Sequence, residues 1–176
     1  MEFESKVFAK SVFDTLYETG KTLSTAESCT SGRIAEALTA IPGASDYFVG
    51  GIVSYSNRIK ENILHVDAAI IEEKSAVCEE VAIQMVKGAC ETLGTDYAIS
   101  ATGFAGPGSE KDIPAGTIWV ACGSADDVRT LKLTEDHGRE KNLVNATNSA
   151  LQLFKEFLNE KFPQPDLSEV PAPEAK

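Results

Sequence analysis

Apolar residues recur at helical spacing in four parts of the chain. These parts are residues 4–19, 34–41, 78–93 and 139–161. Gly20, Gly43 and Gly94 follow the first three of them, and glycine commonly ends a helix because it adopts a left-handed backbone at little cost. The pattern therefore predicts four main helices. Asn57 is a possible cap for a fifth, shorter helix.

Five apolar runs between these segments are predicted to be strands. They are residues 22–27, 51–56, 96–103, 117–123 and 128–135. The last two are joined by the short sequence "SADD", which favours an antiparallel pair. Strands that alternate with helices predict an α/β fold, with three layers (α/β/α) and a mixed, mostly parallel sheet of about five strands.

The chain of 176 residues suits one ordinary domain with a sizeable core, which we place at residues 1–162. Residues 163–176 contain four of the seven prolines and several charges. Such a composition cannot bury enough apolar surface to fold, so we expect a disordered tail there.

Charge and composition exclude several classes of protein. The net charge of −11 argues against a nucleic-acid surface, because binding to phosphates needs a basic face. No apolar stretch approaches the length of a membrane span, and charges in "MEFESKVFAK" replace the apolar core of a secretory signal. Four cysteines without a CxxC pair indicate reduced thiols and a cytoplasmic protein. Two histidines without clustered ligands do not predict a zinc site.

The segment "STAESCTSGRIAEAL" places a serine, a cysteine and a threonine at a strand-to-helix turn. Ser28 can be a helix cap, or it can be a nucleophile beside free N–H groups that would hold an oxyanion. Cys29 is a rival nucleophile. However, adjacent residues that leave a strand point to opposite faces, so the two side chains should not share one pocket. A buried and inert thiol is the more common role of such a cysteine.

A serine nucleophile needs a base to take its proton. His65 and His137 are the only imidazoles, and the sequence suggests a partner for neither. A lysine can act instead if burial lowers its pKa. Lys60 lies one helical turn beyond Ser56 and so near the end of the second strand, although a solvated helix lysine is the more common reading.

The sequence "ATGFAGPG" matches neither a dinucleotide fingerprint nor a P-loop. It is either a flexible surface connection or a backbone that approaches a phosphate or ribose closely, which requires glycine.

Taken together, the segments resemble the CinA C-terminal family, the nicotinamide mononucleotide deamidases. The matching pieces cover residues 25–121 in order and include "AESCTSGRIAEALTAIPGAS", "FVGGIVSYSNRIKENIL", "AVCEEVA", "SATGFAGPGS" and "PAGTIWVA". The resemblance implies a three-layer α/β/α domain that hydrolyses the carboxamide of nicotinamide mononucleotide, in pyridine nucleotide salvage. It implies no metal or other cofactor. The chain resembles the stand-alone form of the family, without the N-terminal domain of longer CinA proteins.

The resemblance also implies roles for individual residues. Ser28 would be the nucleophile and Lys60 its general base, with Tyr55 assisting proton movement or positioning the pair. The residues implied to bind substrate are Thr30, Ser31, Gly32, Thr102, Gly103, Gly106 and Arg139. Arg139 would bind the phosphate, because its planar fork suits bidentate contacts.

Three positions depart from the family pattern. Ser31 stands where the family commonly has glycine, "HGR" replaces Gly-Asp-Arg, and Cys78 replaces a serine cap. These departures keep a second hypothesis open, a non-catalytic nucleotide-binding or regulatory module. A third hypothesis is a thiol enzyme that uses Cys29. The expected partners are a pyridine nucleotide and a second copy of the chain, as a homodimer or higher homo-oligomer, with no nucleic acid or membrane.

Overall fold

The computed structural model describes residues 3–110 and 112–163. The tail expected at residues 163–176 therefore lies, apart from Pro163, outside the described residues. The helices are α1 Phe3–Thr19, α2 Arg33–Thr39, α3 Asn57–Leu64, α4 Ala68–Lys74, α5 Glu79–Leu93 and α6 Arg139–Lys161, with a 3-10 turn at Ala44–Asp46. The strands are β1 Leu23–Glu27, β2 Phe48–Val53, β3 Tyr97–Phe104, β4 Ser109–Glu110, β5 Ile113–Pro114, β6 Thr117–Gly123 and β7 Val128–Leu133.

Five strands form one mixed sheet in the order β2-β1-β3-β6-β7. β1 is parallel to both β2 and β3, whereas β6 is antiparallel to β3 and to β7. Four of the five strands therefore run in the same direction. This confirms the predicted mixed, mostly parallel sheet.

Helices cover both faces of the sheet, so the three-layer arrangement is confirmed. One cluster of buried residues joins α1, α2 and α6 to the sheet and includes Leu16, Leu38 and Phe154. A second cluster on the opposite face joins α3, α4 and α5 to the sheet and includes Leu64 and Met85. Among the described residues, no helix combines the length and apolar character needed to cross a bilayer.

Several predicted boundaries need correction. β2 covers Phe48–Val53 instead of residues 51–56, so Tyr55 lies beyond the strand. Asn57 is the first residue of α3 instead of its cap; Ser56 holds the cap position and makes no side-chain capping bond. The pattern missed α4, whose seven residues are too few to show a helical period, and the two-residue strands β4 and β5.

Gly88 allows α5 to pack directly against the end of α3. A Cβ atom at this position would lie 1.9 Å from the backbone oxygen of Leu64 and 2.8 Å from its Cα atom. We expect Gly88→Ala to lower the free energy of unfolding by about 1–3 kcal/mol, because overpacking against backbone forces the helices apart. Urea unfolding followed by circular dichroism measures this change.

Gly50→Ala is the matched control for Gly88→Ala. No heavy atom lies within 4 Å of the Cβ position of Gly50, so its free energy of unfolding should stay within about 0.5 kcal/mol of the parent value. Equal unfolding midpoints for the two variants would contradict the close packing of α3 on α5.

Candidate active site

Ser28 follows β1 directly and is held at the carboxyl end of the sheet. Its backbone N–H donates to the oxygen of Ala101 at 2.9 Å, which extends the pairing of β1 with β3 by one residue. The residue is 8% exposed. The carboxyl ends of parallel strands are a common place for ligands in α/β folds, and the nucleophile candidate lies there.

Lys60 reaches Ser28 from α3. Its Nζ atom lies 2.8 Å from Oγ of Ser28 and donates to the backbone oxygen of Ser54 at 2.7 Å. Lys60 is only 1% exposed. Ser54 in turn donates its N–H to the oxygen of Glu27 at 2.8 Å. Glu27, which precedes Ser28, is therefore bonded to Ser54, which accepts the hydrogen bond of Lys60. This bond fixes the side chains of Ser28 and Lys60 relative to one another.

The side chain of Glu27 organises the turn that carries Ser28. It is 1% exposed, and its carboxylate accepts hydrogen bonds from the N–H groups of Gly32, Ile34 and Ala35 at 2.9, 3.1 and 2.9 Å. A carboxylate that satisfies the first amides of a helix stabilises that helix end. Glu27 was predicted only as the end of a strand. An acidic residue a few positions before a helix start was the available signal.

Most amides of the turn already have acceptors. The N–H of Ser31 donates to Ser28 O at 3.2 Å and that of Arg33 donates to Thr30 O at 3.1 Å. Within residues 3–110 and 112–163, the amides of Cys29 and Thr30 are the two in this turn without an oxygen acceptor. Both amides also lie close enough to the Cys29 thiol to lower its pKa, so an oxyanion would take these two donors in place of the sulfur.

Ser31 adopts a left-handed backbone, a conformation in which glycine is the favoured residue. Its φ is +52°, and the next residue, Gly32, has φ +96°. The exposed side chain of Ser31 turns back along its own chain, with Oγ donating to Ser28 O at 3.3 Å. Neither Thr30, Ser31 nor Gly32 lines the cavity beside Ser28, and their substrate-binding roles remain predictions.

A cavity of about 200 Å³ opens beside Ser28 and Lys60. Tyr55 stands at this cavity but is 61% exposed. The segment from Ser75 to Val77, which was not predicted from the sequence, forms another wall. The complete lining is Ser28, Cys29, Tyr55, Asn57, Lys60, Ser75, Ala76, Val77, Thr102, Gly103, Phe104, Ala105 and Arg139.

The predicted residues of β3 and α6 meet at this cavity. Thr102 is buried, and its hydroxyl donates to the backbone oxygen of Ala76 at 2.7 Å. Gly103 has no room for a side chain, because a Cβ atom would lie 2.6 Å from the side chain of Ile118. Arg139, the first residue of α6, is exposed and donates from Nη1 to the oxygen of Gly106 at 2.8 Å. Gly106 itself does not line the cavity.

Cys29 belongs to the hydrophobic cluster beneath α1, α2 and α6. The expectation that it would stay clear of the cavity of Ser28 is wrong in part, because Cys29 borders that cavity. The chain has left β1 by this point, so strict alternation no longer applies. Burial raises the pKa of its thiol to about 12, which disfavours the thiolate needed for nucleophilic attack.

These observations define a class of protein: a three-layer α/β/α protein with a buried serine–lysine pair at the carboxyl ends of parallel strands. The chain belongs to the CinA C-terminal domain family, whose model matches residues 5–158.

Similar proteins include a CinA-like protein from Geotalea daltonii, which is 42% identical over 83% of this chain. The chain spans 38%, 37% and 36% of the length of three curated relatives it matches. Similar solved structures include the following two crystal structures. A competence/damage inducible protein from Agrobacterium tumefaciens has a TM-score of 0.85 and 31% identity, covering 90% of this chain and 98% of that one. A CinA superfamily protein from Klebsiella pneumoniae has a TM-score of 0.84 and 32% identity, covering 89% and 98%.

Proposed function

We propose that this chain is a serine amidohydrolase that converts nicotinamide mononucleotide to nicotinic acid mononucleotide and ammonia, as a step of pyridine nucleotide salvage. The observation that carries the proposal is the 2.8 Å distance between Nζ of Lys60 and Oγ of Ser28, both deeply buried at the cavity. A nucleophile within hydrogen-bonding distance of a base is the arrangement that activates a serine. The choice of substrate rests on the family resemblance.

Lys60 acts as the general base of the first step. In the proposed step Lys60 is in its amine form, and the neutral Nζ takes the proton of Ser28 as Oγ attacks the carboxamide carbon. The oxygen of Ser54 accepts a hydrogen bond from Nζ and so keeps its lone pair directed at the serine. A new C–O bond forms and the carbonyl π bond opens to an oxyanion, which the amides of Cys29 and Thr30 can hold.

The same lysine acts as the acid of the second step. The oxyanion reforms the carbonyl group as the C–N bond breaks, and protonated Lys60 delivers its proton to the leaving nitrogen, so ammonia departs. A water molecule then attacks the acyl ester, with neutral Lys60 taking its proton. The C–O bond to Ser28 breaks, and the proton returns to the serine as the carboxylic acid is released.

The size of the cavity suggests how the substrate is oriented. Pockets that enclose a whole small molecule usually measure about 300–1,000 Å³, and this cavity measures about 200 Å³. The carboxamide end of the nucleotide would occupy it, next to Ser28. The phosphate would lie at the rim, where the exposed guanidinium of Arg139 can contact it.

An ammonia-release assay over a panel of pyridine nucleotides and related amides tests the proposal. Nicotinamide mononucleotide should give stoichiometric ammonia and nicotinic acid mononucleotide, identified by chromatography. The alternative, a non-catalytic binding module, predicts heat of binding in calorimetry without product. Binding without any product after overnight incubation would overturn the amidase proposal.

A further inference from the structure

Ser75 has a backbone conformation that is essentially restricted to glycine. It follows α4 with φ +83° and ψ 160°. This region is strained for a residue with a side chain, and such outliers persist mainly at functional sites. His65 also has a positive φ, but its φ of 56° and ψ of 30° lie in the left-handed helical well that ordinary residues can enter.

Contacts on several sides hold the segment at Ser75 in place. The N–H of Ser75 donates to the oxygen of Ile71 at 3.0 Å, which closes the last turn of α4. The oxygen of Ala76 accepts the hydroxyl of Thr102 at 2.7 Å, which ties the segment to β3. The surrounding structure therefore imposes the conformation, and glycine would adopt it without the strain.

The hydroxyl of Ser75 has an unused donor at the cavity. Ser75 is 9% exposed and lines the same cavity as Ser28 and Lys60. Its oxygen accepts the N–H of Val77 at 3.3 Å. In the part of the chain that the structure describes, no acceptor receives its O–H hydrogen. Because Ser75 lines the cavity, a molecule bound there can accept a hydrogen bond from this O–H group.

We infer that Ser75 is a substrate-binding residue, whose O–H donates a hydrogen bond to an oxygen of the bound nucleotide. This inference rests on the proposed function. Nicotinamide mononucleotide offers acceptors on its carboxamide, ribose and phosphate, whereas its quaternary pyridinium nitrogen accepts no hydrogen bond. Ser75 thereby selects for an oxygen acceptor at the wall of the cavity formed by the segment from Ser75 to Val77.

Two substitutions separate the hydroxyl from the backbone strain. Ser75→Gly removes both, and Ser75→Ala removes the hydroxyl alone. We expect both variants to lose about 3- to 30-fold in kcat/KM, the range for a hydrogen bond to substrate. Ser75→Gly should unfold at a higher temperature than Ser75→Ala, because only glycine relieves the strain. Values of kcat/KM within twofold of wild type in both variants would overturn the inference.

Binding measurements remove the effects of turnover. In a Ser28→Ala background, adding Ser75→Ala should weaken the binding of nicotinamide mononucleotide in calorimetry by about 3- to 30-fold. Unchanged affinity would overturn the inference, since a serine that only stabilises its own turn would not alter binding well below the unfolding temperature.

His65→Gly is the control for the relief of a positive φ away from the cavity. Its kcat/KM should stay within twofold of wild type. A loss equal to that of Ser75→Gly would assign the effect to the backbone and contradict a binding role.

The two proposals can fail separately. If the wild-type protein binds the nucleotide without releasing ammonia, the amidase proposal fails, and the affinity comparison still decides the role of Ser75. If the protein releases ammonia and the Ser75 variants match wild type, only the inference on Ser75 fails. If the protein neither binds nor hydrolyses the nucleotide, both are overturned.

Discussion

Ser28→Ala is expected to reduce ammonia release from nicotinamide mononucleotide by at least about 10⁴-fold, because the variant has no atom that can form the acyl intermediate. The fold should survive, since Nζ of Lys60 keeps its acceptor at Ser54 and the backbone bond from residue 28 to Ala101 does not involve the side chain. Rates at saturating substrate give kcat, and rates at limiting substrate give kcat/KM. Circular dichroism and the thermal midpoint are recorded on the same preparation.

Cys29→Ala is the control for Ser28→Ala, because it changes the adjacent residue and removes the rival nucleophile. Burial raises the pKa of the Cys29 thiol to about 12, so it should stay protonated at neutral pH and contribute nothing to attack. We expect most of the activity to remain, with some loss of stability from the small cavity left in the core. An active Ser28→Ala protein together with an inactive Cys29→Ala protein would replace the serine mechanism with a thiol mechanism.

The sheet and the long helices followed from the sequence because their signals are local. A period of 3.6 residues over 23 residues of α6 marks that helix at its observed bounds, Arg139–Lys161. The buried run that becomes β3 is equally clear. Short elements gave no comparable signal, since α4 has seven residues and β4 has two.

The candidate site was less accessible to sequence reasoning. Residue types alone left Ser28 as a possible cap and Lys60 as a possible surface lysine, and only the family resemblance joined them. The helix that carries Lys60 packs on α5 where Gly88 meets Leu64, a contact between residues distant in the chain that no local pattern encodes. The segment at Ser75 is likewise fixed by a distant contact, the bond from Thr102 to Ala76, whereas the bonds of Glu27 reach only residues 32 to 35 and carried a local signal.

Lys60→Met should lower kcat/KM by about 10²- to 10⁴-fold, the usual contribution of general acid–base catalysis. Methionine has a similar length and fills the buried position without a base, so the fold should remain. The oxygen of Ser54 loses the hydrogen bond from Nζ, which opposes any stability gained by removing a buried amine. Initial rates and the midpoint of urea unfolding measure the two effects separately.

Lys60→Arg distinguishes a base from a fixed positive charge. A guanidinium stays protonated in proteins and cannot accept the proton of Ser28, so this variant should be as inactive as Lys60→Met. Lys87→Met is the matched control, since Lys87 is an exposed lysine on α5 away from the cavity, and it should keep full activity. If Lys60→Arg retained more than about a tenth of the wild-type rate, the role of Lys60 would be electrostatic, and the serine would need a different base.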